Sequence, residues 1–132
     1  MTTYLLDANV LIALTVEEHE HHELVAAWIS GVDRVALCPI SEGSLVRFLV
    51  RIGESVTVAA DVLRLLHPHP TCEFWPDSVT YAEADLSGVY GHRQVTDAYL
   101  VALVAARPGA RLATLDHALS QLRPDLTALI AK

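Results

Sequence analysis

Short apolar runs recur along this chain, and each gives way within a few residues to an acidic side chain and a helix-compatible segment. Tyr4-Leu5-Leu6 leads to Asp7, Val35-Ala36-Leu37-Cys38 to Glu42, and Leu112-Ala113-Thr114-Leu115 to Asp116. Unbroken apolar runs of this length are what strands buried on both faces look like. Between them, apolar residues recur at spacings of three and four, the helical period, as in Leu45, Phe48, Leu49 and Ile52. Strands that alternate with helices pair in parallel through right-handed crossovers. The expected fold class is therefore α/β, a three-layer α/β/α sandwich around a central parallel sheet. No repeat, linker or low-complexity tract interrupts the 132 residues, so one domain over 1–132 is expected.

The elements follow from local signals. A first strand is predicted over Thr3 to Leu6 and a short helix over Asn9 to Thr15. A helix through Leu24, Ala27, Trp28 and Ile29 ends near Gly31. The second strand, Arg34 to Cys38, runs into a helix for which Ser41 is the predicted N-cap, with Glu42 in the first turn and Gly53 as terminator. Ser55 to Leu66 forms a helix stopped by Pro68 and Pro70, and a strand lies near Cys72 to Trp75. The stretch 86–89 is short and ambiguous. Thr96 is the predicted cap of an apolar helix, Asp97 to Ala106, halted at Pro108-Gly109. A strand at Arg111 to Thr114, a helix at His117 to Leu122 and an edge strand at Leu126 to Ile130 complete the pattern.

Composition narrows the function classes. Hydrophobic residues make up 52% and charged residues 19%, which excludes a disordered chain. No apolar run approaches the ~20 residues that span a bilayer. No basic region precedes the first apolar run, which already meets Asp7, so no signal peptide or membrane association is expected. Cys38 and Cys72 have neither CxxC nor metal-ligand spacing and read as reduced thiols, giving a cytoplasmic expectation. A net charge of −7 leans against a nucleic-acid surface. Yet all but one of the cations are Arg, which suits bidentate phosphate contacts; Lys132 is the sole lysine.

Four carboxylates then carry the functional argument: Asp7, Glu42, Asp97 and Asp116 each stand where an element starts or stops. Alone, each reads as a helix cap or a first-turn acid. Open parallel sheets bind ligands outside the carboxyl ends of their strands, and all four acids fall at that edge. Ionised pairs there would repel by roughly 4 kcal/mol at ~4 Å with an effective dielectric near 20. Such a site calls for a divalent cation. Mg²⁺ and Mn²⁺ take oxygen ligands, lower the pKa of bound water and polarise a phosphoryl group, which points to metal-dependent phosphodiester hydrolysis. Asn9, two residues after Asp7, is placed to orient the cation or a water behind the ligands.

Taken in order, Leu-Leu-Asp-Ala-Asn-Val-Leu at 5–11, Ser-Glu-Gly at 41–43, Val-Thr-Asp-Ala-Tyr-Leu-Val-Ala-Leu at 95–103 and Leu-Ala-Thr-Leu-Asp-His-Ala-Leu at 112–119 resemble the signature blocks of PIN-domain proteins. More closely, they resemble the VapC ribonuclease toxins of bacterial toxin–antitoxin modules, and the resemblance runs essentially end to end. It implies a PIN-like fold with Asp7, Glu42 and Asp97 as an acidic triad, Asp116 as the fourth acid, and Thr114 and Asn9 as polar companions. It also implies Mg²⁺- or Mn²⁺-dependent endonucleolytic cleavage of RNA, a small antitoxin that wraps the protein and obstructs its acidic pocket, and a homodimer.

Other residues weigh less. His19 and His22 could share a helical face and hold zinc, but their acidic surroundings read as a solvated helix entry. His67 and His69 alternate with prolines and read as loop. His92 and His117 lie near the acids in sequence and read as surface residues. Arg47, Arg51 and Arg93 are candidates for RNA backbone contact; Trp28 and Trp75 read as packing residues. A receiver- or dehalogenase-type phosphoryl-transfer domain resembles this arrangement but uses a lysine beside the phosphate, and here none precedes Lys132. The remaining alternative is a non-catalytic PIN-like module that binds RNA or a protein partner.

Overall fold

The computed structural model describes residues 2–132. Its strands are β1 (Thr3–Leu6), β2 (Arg34–Leu37), β3 (Cys72–Phe74), β4 (Arg111–Thr114) and β5 (Thr127–Leu129), all parallel in the order β3-β2-β1-β4-β5. The helices are α1 (Ala8–Thr15), α2 (His22–Ile29), α3 (Pro39–Arg51), α4 (Val56–Leu66), α5 (Val95–Ala105) and α6 (His117–Leu122). The chain builds outward from β1 to β3, then returns to the other side of β1 with β4 and β5. The strand order therefore reverses between β1 and β4, and a crevice opens at the carboxyl ends of those two strands.

The apolar runs are unbroken because both sheet faces are covered. Leu5 pairs in register with Ala36 and Leu112, and these three pack against Tyr99, Leu100, Leu103 and Val104 of α5. Their neighbours Leu6, Leu37 and Ala113 point the other way, onto Val10 and Leu11 of α1, Val25 of α2, and Leu45 and Leu49 of α3. This is the period-two alternation of a pleated strand. Each fully buried Leu contributes about 1.5–3 kcal/mol. The two faces with their helix layers form the expected three-layer sandwich.

Two capping expectations are overturned. Helix α3 starts at Pro39, two residues before Ser41, because proline at the first turn needs no donor and its φ is already helical. Ser41 is fully buried instead, and its Oγ donates to the Leu6 carbonyl at 2.8 Å, tying the start of α3 to the end of β1. Likewise Thr96 caps nothing. A single 3-10 turn, His92–Gln94, already winds the chain, so α5 begins at Val95 and Asp97 sits within its first turn. Ser55 caps α4, accepting from the Val58 amide at 3.1 Å. Gly53 follows α3 at φ 104°, a conformation that glycine adopts without strain. The stretch 86–89 forms neither helix nor strand. Cys38 and Cys72 are both free thiols, and no helix of the described residues is long and apolar enough to cross a membrane.

Replacing Ser41 by Ala leaves the Leu6 carbonyl short of a donor in a buried position. The expected loss is about 1–2 kcal/mol of unfolding free energy, measurable by urea denaturation. An unchanged midpoint would show that the contact contributes nothing.

Candidate metal centre

Asp7 continues β1 by one residue, its amide donating to the Ala113 carbonyl at 3.0 Å. It caps α1 through Oδ1, which accepts from the Ala8 amide at 2.8 Å. Its other oxygen accepts from Thr114 Oγ1 at 2.7 Å, and the side chain is almost wholly buried. Thr114, at the end of β4 and fully buried, also accepts from the Asp116 amide at 3.1 Å. One hydroxyl thus links the ends of the two central strands and sets the spacing of Asp7 and Asp116. Asp116 in turn caps α6, accepting from the Leu119 amide at 3.1 Å. Asn9 Oδ1 accepts from the Leu115 amide at 3.4 Å, holding the β4–α6 loop against the start of α1. Capping and site-building are therefore the same contacts here.

Asp97 enters from the third element, the first turn of α5. Burial, then the nearby charges of Asp7 and Asp116, push its carboxyl up to about 6, and no hydrogen bond offsets that repulsion. Asp7 is raised too, by burial first, against the lowering hydrogen bonds from Thr114 and Ala8. The donor chemistry fits a hard divalent cation: three carboxylates from three elements share one field, and a cation would relieve their mutual repulsion. As oriented, however, no three His, Cys, Asp or Glu side chains among the described residues form a ready-made cage.

Glu42 is the reason one candidate stands apart. It lies in the first turn of α3, beside the end of β1, but its carboxylate bonds His67 Nε2. The Glu42 side chain is 16% exposed and that of His67 is 40% exposed. His67 follows α4 directly as its C-cap, so the loop reading missed it. The overlooked signal was positional, since proline at 68 ends the helix and leaves the preceding side chain on its last turn. Among the described residues, the three candidate arginines make no ion pair with these acids. Arg47 and Arg51 are exposed on α3, Arg51 lying 5.7 Å from the Phe48 ring centroid, and Arg93 is exposed in the 3-10 turn before α5. Trp75 is core, with the Arg107 guanidinium 4.3 Å above its ring, and Trp28 meets Tyr4 edge-on. His22 Nδ1 donates to the Ala13 carbonyl at 2.8 Å rather than facing His19.

An acid-lined crevice at the strand reversal of a parallel α/β sheet lies where such folds bind their ligands, and comparison with known proteins identifies the family. The PIN domain family model matches residues 4–123, and the chain belongs to that family. It is 51% identical over 129 residues to ribonuclease VapC29 of Mycobacterium tuberculosis, covering 97% of this chain and 96% of that one. Ribonuclease VapC39 of the same species is 37% identical over 128 residues, covering 89% of this chain and 91% of that one. A chain of the crystal structure of VapBC2 from Rickettsia felis, bound to a DNA fragment from its promoter, superposes with a TM-score of 0.66. That match covers 98% of this chain and 99% of the other at 13% identity, and so speaks to the fold alone.

The raised Asp97 carboxyl has a thermodynamic consequence. A carboxyl whose folded pKa lies above its unfolded value binds protons more tightly in the folded state. The Asp97 contribution to the stability of the metal-free protein therefore falls as pH rises from about 4 to about 6. Asp97→Asn removes this penalty. It is expected to stabilise the metal-free protein at pH ~7 by about 1–2 kcal/mol, reduced from the full shift because solvent screens a part-exposed group. Denaturation in EDTA at two pH values checks it, and a destabilised variant would contradict the repulsion.

Proposed function

We propose that this chain is an endoribonuclease dependent on Mg²⁺ or Mn²⁺, acting as the toxin of a two-protein module whose small antitoxin restrains it. The observation that carries this reading is the crowding of Asp7, Asp97 and Asp116 at the strand reversal, with Asp97 pushed up to about 6 by burial and by the other two. Asp7, Asp97 and Asp116 would hold the ion, and Glu42 would join them by exchanging its His67 contact. When bound, the ion supplies Lewis acidity toward water and toward the scissile phosphoryl group. The protein's own part is positioning: Thr114 and the Ala8 amide fix Asp7, the Leu119 amide fixes Asp116, and Asn9 braces the loop between them. Arg47, Arg51 and Arg93 would track the RNA backbone on either side.

The antitoxin reading has its own support. Helices α1, α2 and α4 leave an apolar groove of about 720 Å³, lined by Leu11, Leu14, Ile29, Val62 and Leu65. Leu65 is 81% exposed, which a partner's apolar segment would cover. A second copy of the chain would cover Val50, Ile52, Val56 and Val58, exposed together around the α3–α4 turn, giving the homodimer. One observation favours the alternative, a non-catalytic module: Glu42 is engaged by His67 rather than turned toward the aspartates.

Purified protein is expected to cut RNA with Mg²⁺ or Mn²⁺ and to be silent in EDTA. Asp97→Asn should lose at least about a hundredfold in rate while remaining folded. No cleavage of a broad RNA panel with either ion would favour the binding module. Leu65→Asp should weaken co-purification of the co-expressed antitoxin while leaving cleavage intact. Equal recovery of the antitoxin would move its docking site elsewhere.

A further inference from the structure

We infer that the cleft between α6 and the loop preceding α5 is a nucleobase subsite, seating one base beside the phosphodiester presented to the aspartates. This rests on the ribonuclease reading above. The cleft has a volume of about 260 Å³, and Asp97 and Asp116 form part of its wall, so its occupant lies directly against the acidic edge.

The rest of the wall has the character of a base-binding slot. Val89 comes from the loop, and Leu119 and Leu122 from α6. Leu122 is 51% exposed, although its neighbour Leu119 on the same wall is buried. An apolar side chain left open on the wall of a cleft beside a phosphodiester site is suited to covering by the flat face of a base. Gln94 supplies an edge contact. Its Oε1 accepts from the Tyr90 amide, which fixes the side chain on the wall of the cleft and keeps the amide NH₂ as a donor for a base edge.

Charge argues for a neutral occupant. Arg123, the one cation among the described residues that line the cleft, is engaged by Asp125 at 3.2 Å and by Asp85 at 3.8 Å. It has little left to offer a phosphate. Were a divalent cation to neutralise Asp97 and Asp116, the remaining wall would be apolar or paired, and a base would fit where an ionic group does not. The loop is anchored at two points, where Tyr99 Oη donates to the Val79 carbonyl at 2.8 Å and Asp85 accepts from the Ser87 hydroxyl at 2.6 Å.

The test is calorimetric titration of the full chain, in Mg²⁺, with each ribonucleoside monophosphate and with ribose phosphate as the base-free control. At least one nucleotide is expected to bind about tenfold more tightly than ribose phosphate, within the range that base stacking supplies. Ala118→Phe, at an exposed position lining the cleft, should abolish that preference and leave ribose phosphate binding unchanged. Leu122→Ser, at a half-exposed site, should do the same without risk to the core, with circular dichroism confirming the fold of both. The subsite is overturned if nucleotides and ribose phosphate bind alike or not at all, or if both variants keep the preference. It is also overturned if Ala118→Phe weakens antitoxin binding alone, which would make the cleft a protein contact. Because the readout is binding, base preference without RNA cleavage would defeat only the nuclease reading, and cleavage without base preference only the subsite.

Discussion

The hydrogen bond from Thr114 to Asp7 is the contact on which the rest of the acidic edge depends. It joins the ends of β1 and β4, the two strands between which the strand order reverses, and it holds one carboxylate oxygen of the buried Asp7 against a fully buried hydroxyl. The same hydroxyl accepts from the Asp116 amide, so both acids are referenced to a single atom. A buried carboxylate is tolerable only when it is hydrogen-bonded or neutralised. Here the bonds are enough to fix Asp7 in place and too few to relieve Asp97, whose carboxyl rises toward neutrality. The site is held together by the fold and held apart by its own charge.

That tension sets the charge of the acidic edge against the stability of the fold. A core of two apolar layers, one on each sheet face, leaves room for a destabilised edge. The contacts that build the edge are also ordinary helix caps, at Asp7 for α1 and at Asp116 for α6. Evolution of such a site needs no new scaffold, because a cap already faces the crevice where a parallel sheet binds its ligands. The chain belongs to the PIN domain family and is 51% identical to ribonuclease VapC29 over nearly its whole length.

Much of the fold was legible along the chain. The bounds of β1 and β4, read as Thr3 to Leu6 and Arg111 to Thr114, stand as read, because apolar runs flanked by polar residues leave strands little freedom to shift. Cap chemistry was less legible. Ser41 looks like an N-cap beside Glu42, yet Pro39 nucleates the turn earlier and frees the serine for the Leu6 carbonyl, a residue 35 positions away. Thr96 fails for a similar reason, since the preceding 3-10 turn had already wound the chain. His67 was invisible as a partner because its contact lies 25 positions away, across two helices.

By itself, then, the sequence determined the layered α/β architecture and the placing of an acid shortly after β1, β2 and β4, since both follow from neighbours a few residues apart. Only the tertiary structure decided which acids share a field. Asp7, Asp97 and Asp116 come together because β1, α5 and the loop after β4 converge, whereas Glu42 finds His67 on the adjoining helix pair. Electrostatic coupling depends on distance in space and on burial, and a linear order of residues specifies neither until the layers have packed.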